Sequence, residues 1–122
     1  MTASVLVVDD DPVQRRLLEA MLKRSGYDVA VVEDGQAAVT LMSGADGDAI
    51  DAIVLDLNMP GLDGMGVLAA LREREIGKPV IVQTANGSIE TVVAAMRAGA
   101  IDFVVKPVGA ERLQVSLKNA LK

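Results

Sequence analysis

Several side chains that can do chemistry stand directly after short apolar segments of the sequence. They are Asp9 and Asp10, Asp56, Thr84 and Lys106. Clustered carboxylates repel one another, and at about 4 Å and an effective dielectric of about 20 one like-charged pair costs roughly 4 kcal/mol. Such a cluster either holds protons or binds a cation. Because the sequence contains no His and no Cys, it favours an all-oxygen site for a hard ion, above all Mg²⁺.

The apolar segments before these residues are typical of buried strands, since they are nearly continuous runs of aliphatic residues. They cover residues 4–8, 28–32, 52–55, 79–82 and 101–105. Apolar residues then recur at helical spacing over 12–26, 37–42, 65–74, 89–99 and 109–121. This alternation predicts one α/β domain over residues 1–122, with a doubly wound five-stranded parallel sheet and helices on both faces.

A doubly wound sheet would bring the polar residues together, because its ligands bind outside the carboxyl ends of the strands. Each residue alone has a simpler interpretation. An Asp after a strand is often a helix cap, which is the role that we expect of Asp11 before Pro12. Thr84 alone could bond the local backbone, and Lys106 alone could be solvated. Their joint occurrence at strand ends favours a shared site instead.

Composition excludes several classes of function. The net charge of −5 argues against direct nucleic-acid binding by this chain. The absence of Cys excludes a disulfide framework and thiolate metal sites. No apolar stretch is long enough for a membrane span, and the first residues lack the pattern of a signal peptide. We therefore expect a cytoplasmic protein with no membrane partner.

The motifs resemble one known family. Val-Asp-Asp at 8–10, Leu-Asp-Leu-Asn-Met-Pro-Gly-Leu-Asp-Gly at 55–64, Thr-Ala at 84–85 and Lys-Pro at 106–107 are similar to the receiver domains of bacterial two-component response regulators. The resemblance to this CheY-like, flavodoxin-like family covers the whole chain. Within the family, residues 83–118 are most similar to the receivers of NtrC-type transcriptional activators.

The resemblance implies a metal-assisted phosphoacceptor. Asp56 would accept the phosphoryl group, and Asp10, Asp56 and the backbone carbonyl of Asn58 would ligate Mg²⁺ directly. Asp9 would act on the metal mainly through water. Asn58 and Asn86 match the two variable positions that tune the lifetime of the phosphoryl group in the family.

The resemblance also implies a switch. Lys106 would pair with Asp56 at rest and with a phosphoryl oxygen afterwards, while the Thr84 hydroxyl would turn toward that phosphoryl group. Phe103 matches the aromatic switch position, although an ordinary core or surface Phe is the simpler interpretation. Pro107 is expected to follow a cis peptide bond, which X–Pro bonds allow.

The implied partner is a sensor histidine kinase or a phosphotransfer protein, and the implied output is transcriptional control. We expect an excised receiver rather than a stand-alone one, with homodimerisation through the last helices on phosphorylation. Such a protein is a switch that catalyses only its own phosphorylation and dephosphorylation.

Two other classes remain open at this point. A phosphatase of the haloacid dehalogenase type would need an Asp where Asn58 stands. A partner-binding module that is never phosphorylated would typically lack one of the acidic or Lys positions that this sequence retains.

Overall fold

In the computed structural model, which describes residues 2–85 and 87–122, strands and helices alternate along the whole chain. The strands are β1 (Ser4–Val8), β2 (Asp28–Val32), β3 (Ala52–Asp56), β4 (Val80–Thr84) and β5 (Asp102–Val105). The helices are α1 (Pro12–Arg24), α2 (Gly35–Ser43), α3 (Gly64–Glu73), α4 (Ile89–Arg97) and α5 (Ala110–Ala120). A short 3₁₀ helix, Ala45–Ala49, occupies the stretch before β3 that the sequence marks only as small and polar.

The strands form one parallel sheet in the order β2-β1-β3-β4-β5. The predicted α/β fold class is therefore confirmed. The chain runs outward from β1 to β2, then returns past β1 to β3 and continues in the other direction. The topological switch point consequently lies between the carboxyl ends of β1 and β3, where doubly wound sheets bind their ligands.

The side chains of successive strand residues pack into hydrophobic cores on opposite faces of the sheet, as the two-residue period of a strand requires. Along β1, Val5 and Val7 pack with residues of α1 and α5. Leu6 and Val8 pack instead with residues of α2, α3 and α4. Every residue of β3 and β4 is buried, which explains why these segments read as nearly continuous apolar runs.

The helix starts follow the predicted capping chemistry. Asp11 Oδ1 accepts a hydrogen bond from the Val13 N–H at 2.9 Å, and Pro12 is the first residue of α1, so the predicted cap is confirmed. Asp63 Oδ1 caps α3 in the same way, through the Gly66 N–H at 2.9 Å. None of the described helices is both long and apolar enough to cross a membrane.

Two strand ends extend further than the apolar runs suggest. β3 includes Asp56, and β4 continues through Gln83 to Thr84, because the hydrogen-bonded ladder does not stop where the apolar residues do. The Leu57 N–H still donates to the Gln83 carbonyl at 3.0 Å. Beyond β5, the Lys106–Pro107 peptide bond is cis, as expected.

Gly64 allows α3 to begin against the end of β3. A Cβ atom at this position would lie 2.6 Å from the Asp56 carbonyl oxygen and 2.6 Å from Leu57 Cα. Both neighbours are backbone atoms, so they cannot be displaced without moving the strand end. Only glycine fits the contact as it stands.

We therefore expect Gly64→Ala to lower the free energy of unfolding by about 1–3 kcal/mol, the usual cost of overpacking. Urea denaturation of both proteins measures the difference. Gly77→Ala is the matched control, because a Cβ there meets no atom within 4 Å and the φ angle of Gly77 is not positive. Equal stability losses in the two variants would contradict the steric role of Gly64.

Candidate functional site

Three carboxylates meet at the switch point between β1 and β3. One oxygen from each of Asp9, Asp10 and Asp56 lies within 4.8 Å of the others. Asp9 and Asp56 have exposed fractions of 0% and 1%, whereas Asp10 is exposed. Two of the three carboxylates are thus buried away from water. Like charges repel more strongly there than in solvent, because the effective dielectric is lower.

Lys106 provides the cation of the site. Its Nζ lies 3.1 Å from Asp56 Oδ2 and 3.9 Å from Asp9 Oδ2. A single ammonium therefore serves two buried carboxylates and is closer to Asp56. The backbone of Lys106 is also anchored, since its N–H donates to the Thr84 carbonyl at 2.8 Å.

Asp9 is held from several sides. Its Oδ1 accepts from the Asp11 N–H at 3.0 Å, and its backbone carbonyl accepts from Arg15 Nη1 at 2.9 Å. Burial raises the pKa of the Asp9 carboxyl above its ordinary value, and the neighbouring Asp56 carboxylate raises it further. The Asp11 hydrogen bond and the Lys106 charge oppose this rise in the pKa without cancelling it.

Gln83 is a site residue that sequence reasoning missed. Its Nε2 donates to Asp9 Oδ2 at 2.7 Å, and the side chain is fully buried. Its Oε1 has no hydrogen-bond partner among the described residues, which costs about 1–3 kcal/mol for a buried acceptor. The available signal was a single amide side chain in the otherwise apolar run 79–83.

The remaining predicted residues lie around this cluster. The Asn58 N–H donates to Asp56 Oδ1 at 3.1 Å. Thr84 is buried at the end of β4, directly after the residue paired with Asp56. Phe103 of β5 is half-buried, pairs with Val82, and packs against the core beneath α2, α3 and α4. The prediction for Asn86 falls outside the described residues.

The donor set fits a hard divalent cation. All three side chains offer carboxylate oxygens, close enough together for one ion to contact all of them. Asp10 is exposed and gives the ion access from solvent, while buried Asp56 holds an oxygen at the inner side. The same ion would relieve the repulsion that Lys106 offsets only in part.

The raised pKa of Asp9 has a consequence for stability. The folded protein keeps a proton on Asp9 at pH values where the unfolded chain has lost it. Asp9 therefore contributes stability below the ordinary carboxyl pKa, and this contribution is lost as the pH rises through the raised value. Once it is ionised, and without metal, Asp9 is a repulsive neighbour of Asp56.

We expect Asp9→Asn to raise the free energy of unfolding at pH 7 by about 1–3 kcal/mol in metal-free buffer, because it removes one member of the like-charged pair. The gain should shrink as the pH falls toward 4. Chemical denaturation in EDTA across this range measures it. Asp11→Asn, the same change at a residue that stays a good helix cap, should show no such pH-dependent gain. A destabilised Asp9→Asn at pH 7 would contradict the repulsion.

Comparison with known proteins identifies the family. A family model described as the response regulator receiver domain matches residues 5–118. The transcriptional regulatory protein PrrA of Mycobacterium tuberculosis is 43% identical over 118 residues, which are 97% of this chain and 49% of that protein. The transcriptional regulatory protein ZraR of Salmonella typhimurium is 35% identical over 117 residues, or 96% of this chain and 26% of that protein.

The solved structure of the chemotaxis protein CheY4 of Vibrio cholerae has the same fold, with a TM-score of 0.88 and 29% identity over 99% of this chain and 100% of that one. The chain thus spans about half or less of the length of PrrA and ZraR, but the full length of CheY4. Both longer relatives are transcriptional regulators, which agrees with the resemblance to receivers of NtrC-type activators. The chain belongs to the response-regulator receiver family of two-component signalling systems, with the CheY-like fold.

Proposed function

We propose that Asp56 is the phosphoacceptor of this receiver and that residues 1–122 form one phosphorylation switch. The observation that carries the proposal is the arrangement around Asp56. Its buried carboxylate lies 3.1 Å from the Lys106 ammonium, and one of its oxygens lies within 4.8 Å of an oxygen of the exposed Asp10 carboxylate. The site thus combines a nucleophilic oxygen of Asp56, the ammonium of Lys106 and the solvent-exposed carboxylate of Asp10.

In the proposed reaction, an Asp56 oxygen attacks the phosphorus of a phosphodonor. A new P–O bond forms, the bond from phosphorus to the donor atom breaks, and the donor leaves with the electron pair. Membership of the family implies a histidine kinase or another phosphodonor as the partner. The Asp56 product is an acyl phosphate, and Lys106 then pairs with a phosphoryl oxygen instead of the carboxylate.

The bound Mg²⁺ would be held by Asp10, Asp56 and the carbonyl of Asn58, with Asp9 acting through water. When bound, it neutralises charge on the acceptor and on the incoming phosphoryl oxygens. The protein contributes the positions of these groups. The Asn58 N–H orients one Asp56 oxygen, and Lys106 orients the other.

Phosphorylation adds about −1.5 to −2 charges and three strong acceptor oxygens to this edge. We propose that the Thr84 hydroxyl turns toward them and that Phe103 moves inward as Thr84 moves. The register supports this coupling of Thr84 to Phe103. Phe103 pairs with Val82 and Val105 pairs with Thr84, so Thr84 and Phe103 are diagonal neighbours on the same face of the sheet. The outcome is a shift between two existing arrangements of α4, β5 and α5.

The output belongs to the same proposal. Relatives about twice as long or longer are transcriptional regulators, so we propose that the receiver controls transcription through partners or further domains rather than by binding nucleic acid itself. We also propose that the protein is cytoplasmic and that it forms a homodimer on phosphorylation. Exposed apolar residues on the last elements support the dimer: Ile89, Val93, Met96, Ile101 and Val105.

Asp56→Asn should abolish labelling by radioactive acetyl phosphate in the presence of Mg²⁺, because the amide is not a competent nucleophile. Phosphate incorporation after gel separation measures the effect. Asp11→Asn, a matched change beside the site, should be labelled like the wild type. An Asp56→Asn chain that still incorporates phosphate would refute the acceptor assignment.

The same assay tests the metal. Asp10→Ala is expected to lose the Mg²⁺ dependence of labelling together with most of the labelling itself, since it removes the exposed ligand. Labelling of Asp10→Ala at the wild-type rate, with the same dependence on Mg²⁺, would count against the metal site.

Beryllofluoride, a mimic of the bound phosphoryl group, should raise the mass in solution from the 12.7 kDa monomer toward twice that value. Light scattering with size exclusion measures the mass, and Asp56→Asn treated in the same way is the control. A mass that stays at the monomer value would show that phosphorylation does not drive dimerisation of this domain.

A further inference from the structure

Gln83 belongs to a row of polar side chains that crosses the centre of the sheet. The register pairs Asp56 of β3 with Gln83 of β4. Val8 of β1 pairs with Leu55, so Asp9 follows at the level of Asp56. Neighbouring strands are about 4.8 Å apart, and β3 lies between β1 and β4. The Gln83 side chain therefore spans the width of β3 to donate to Asp9 at 2.7 Å.

The Gln83 amide and the Lys106 ammonium face the same oxygen of Asp9. Asp9 Oδ2, the oxygen bound by Gln83, is also the oxygen 3.9 Å from the Lys106 ammonium. Asp56 Oδ2 is closer to the same ammonium, at 3.1 Å. One cation thus faces two buried carboxylates, and Gln83 provides a neutral donor for one of them.

We propose that Gln83 is a positioning residue for the phosphorylation site. It fixes Asp9 from the inner side, while the Asp11 N–H fixes its other oxygen at 3.0 Å. Lys106 then stays with Asp56, and the Asp9 carboxylate keeps one orientation toward a bound cation. The inference rests on the proposed function, because the site that Gln83 positions is the metal and phosphoryl site of that proposal.

A purely structural role explains the residue less well. The three residues of β4 before it are apolar and buried, and Gln83 leaves its own Oε1 without a partner among the described residues. An aliphatic side chain would fill this position without that loss. The amide contributes what an aliphatic side chain cannot, a donor that reaches Asp9 without adding charge.

Gln83→Met tests the donor, because Met has a similar length and shape but no N–H. We expect its Mg²⁺ dissociation constant, measured by titration calorimetry at pH 8, to rise by about tenfold, as for other groups that orient metal ligands. Ile81→Met is the matched control. Ile81 lies two residues earlier on β4, is fully buried, and packs on the α1 and α5 side. The Mg²⁺ dissociation constant of Ile81→Met should stay within about twofold of the wild-type value.

A double-mutant cycle tests the route through Asp9. In the Asp9→Asn background, Gln83→Met should weaken Mg²⁺ binding by no more than about twofold, because the carboxylate that Gln83 positions is gone. A tenfold loss that persists in this background would overturn the proposed route. Wild-type affinity in Gln83→Met itself would overturn the positioning role.

A measurement on the unmodified chain keeps the test independent of how the variants fold. In metal-free wild-type protein, NMR should show one Gln83 side-chain amide proton shifted downfield and protected from exchange. Free amide shifts for Gln83 would refute the contact. If the wild type bound no Mg²⁺ and took no label, the proposed function would fail as well. If the wild type bound Mg²⁺ and Gln83→Met bound it equally well, only this inference would fail.

Discussion

The site depends on the repulsion between two buried carboxylates, Asp9 and Asp56, at the ends of the central strands. Both are buried away from bulk solvent, and the Lys106 ammonium is shared unequally between them. The fold thus maintains an edge that is short of positive charge. Burial raises the pKa of Asp9, the Asp56 carboxylate raises it further, and the same lack of positive charge favours the cation that the proposed reaction requires.

The sheet creates this situation through topology and alternation. The reversal of strand order beside β1 brings the ends of β1 and β3 together, although they lie far apart in the sequence. Because side chains alternate between faces, Asp9, Asp56 and Gln83 share one face of the sheet, while Thr84 belongs to the other. The acceptor and Thr84, whose hydroxyl is proposed to turn toward the phosphoryl group, therefore start from different sides of the same strand ends.

Much of this could be predicted from the sequence. The apolar runs gave the strands within a residue or two, and the order of elements gave the edge where Asp9, Asp10, Asp56 and Lys106 meet. Gln83 could not be found in this way, because its contact depends on a register between strands that are not consecutive. The 3₁₀ helix Ala45–Ala49 was also missed, since its small polar residues carry no helical periodicity.

The hydrogen bond between the Lys106 N–H and the Thr84 carbonyl joins the residue that follows β5 to the last residue of β4 by their backbones. One of these residues carries the ammonium beside the acceptor, and the other carries a hydroxyl on the opposite face. A displacement of either strand end must stretch this bond or carry the other end with it. The ends of β4 and β5 are therefore coupled, so that a shift at one end is transmitted to the other.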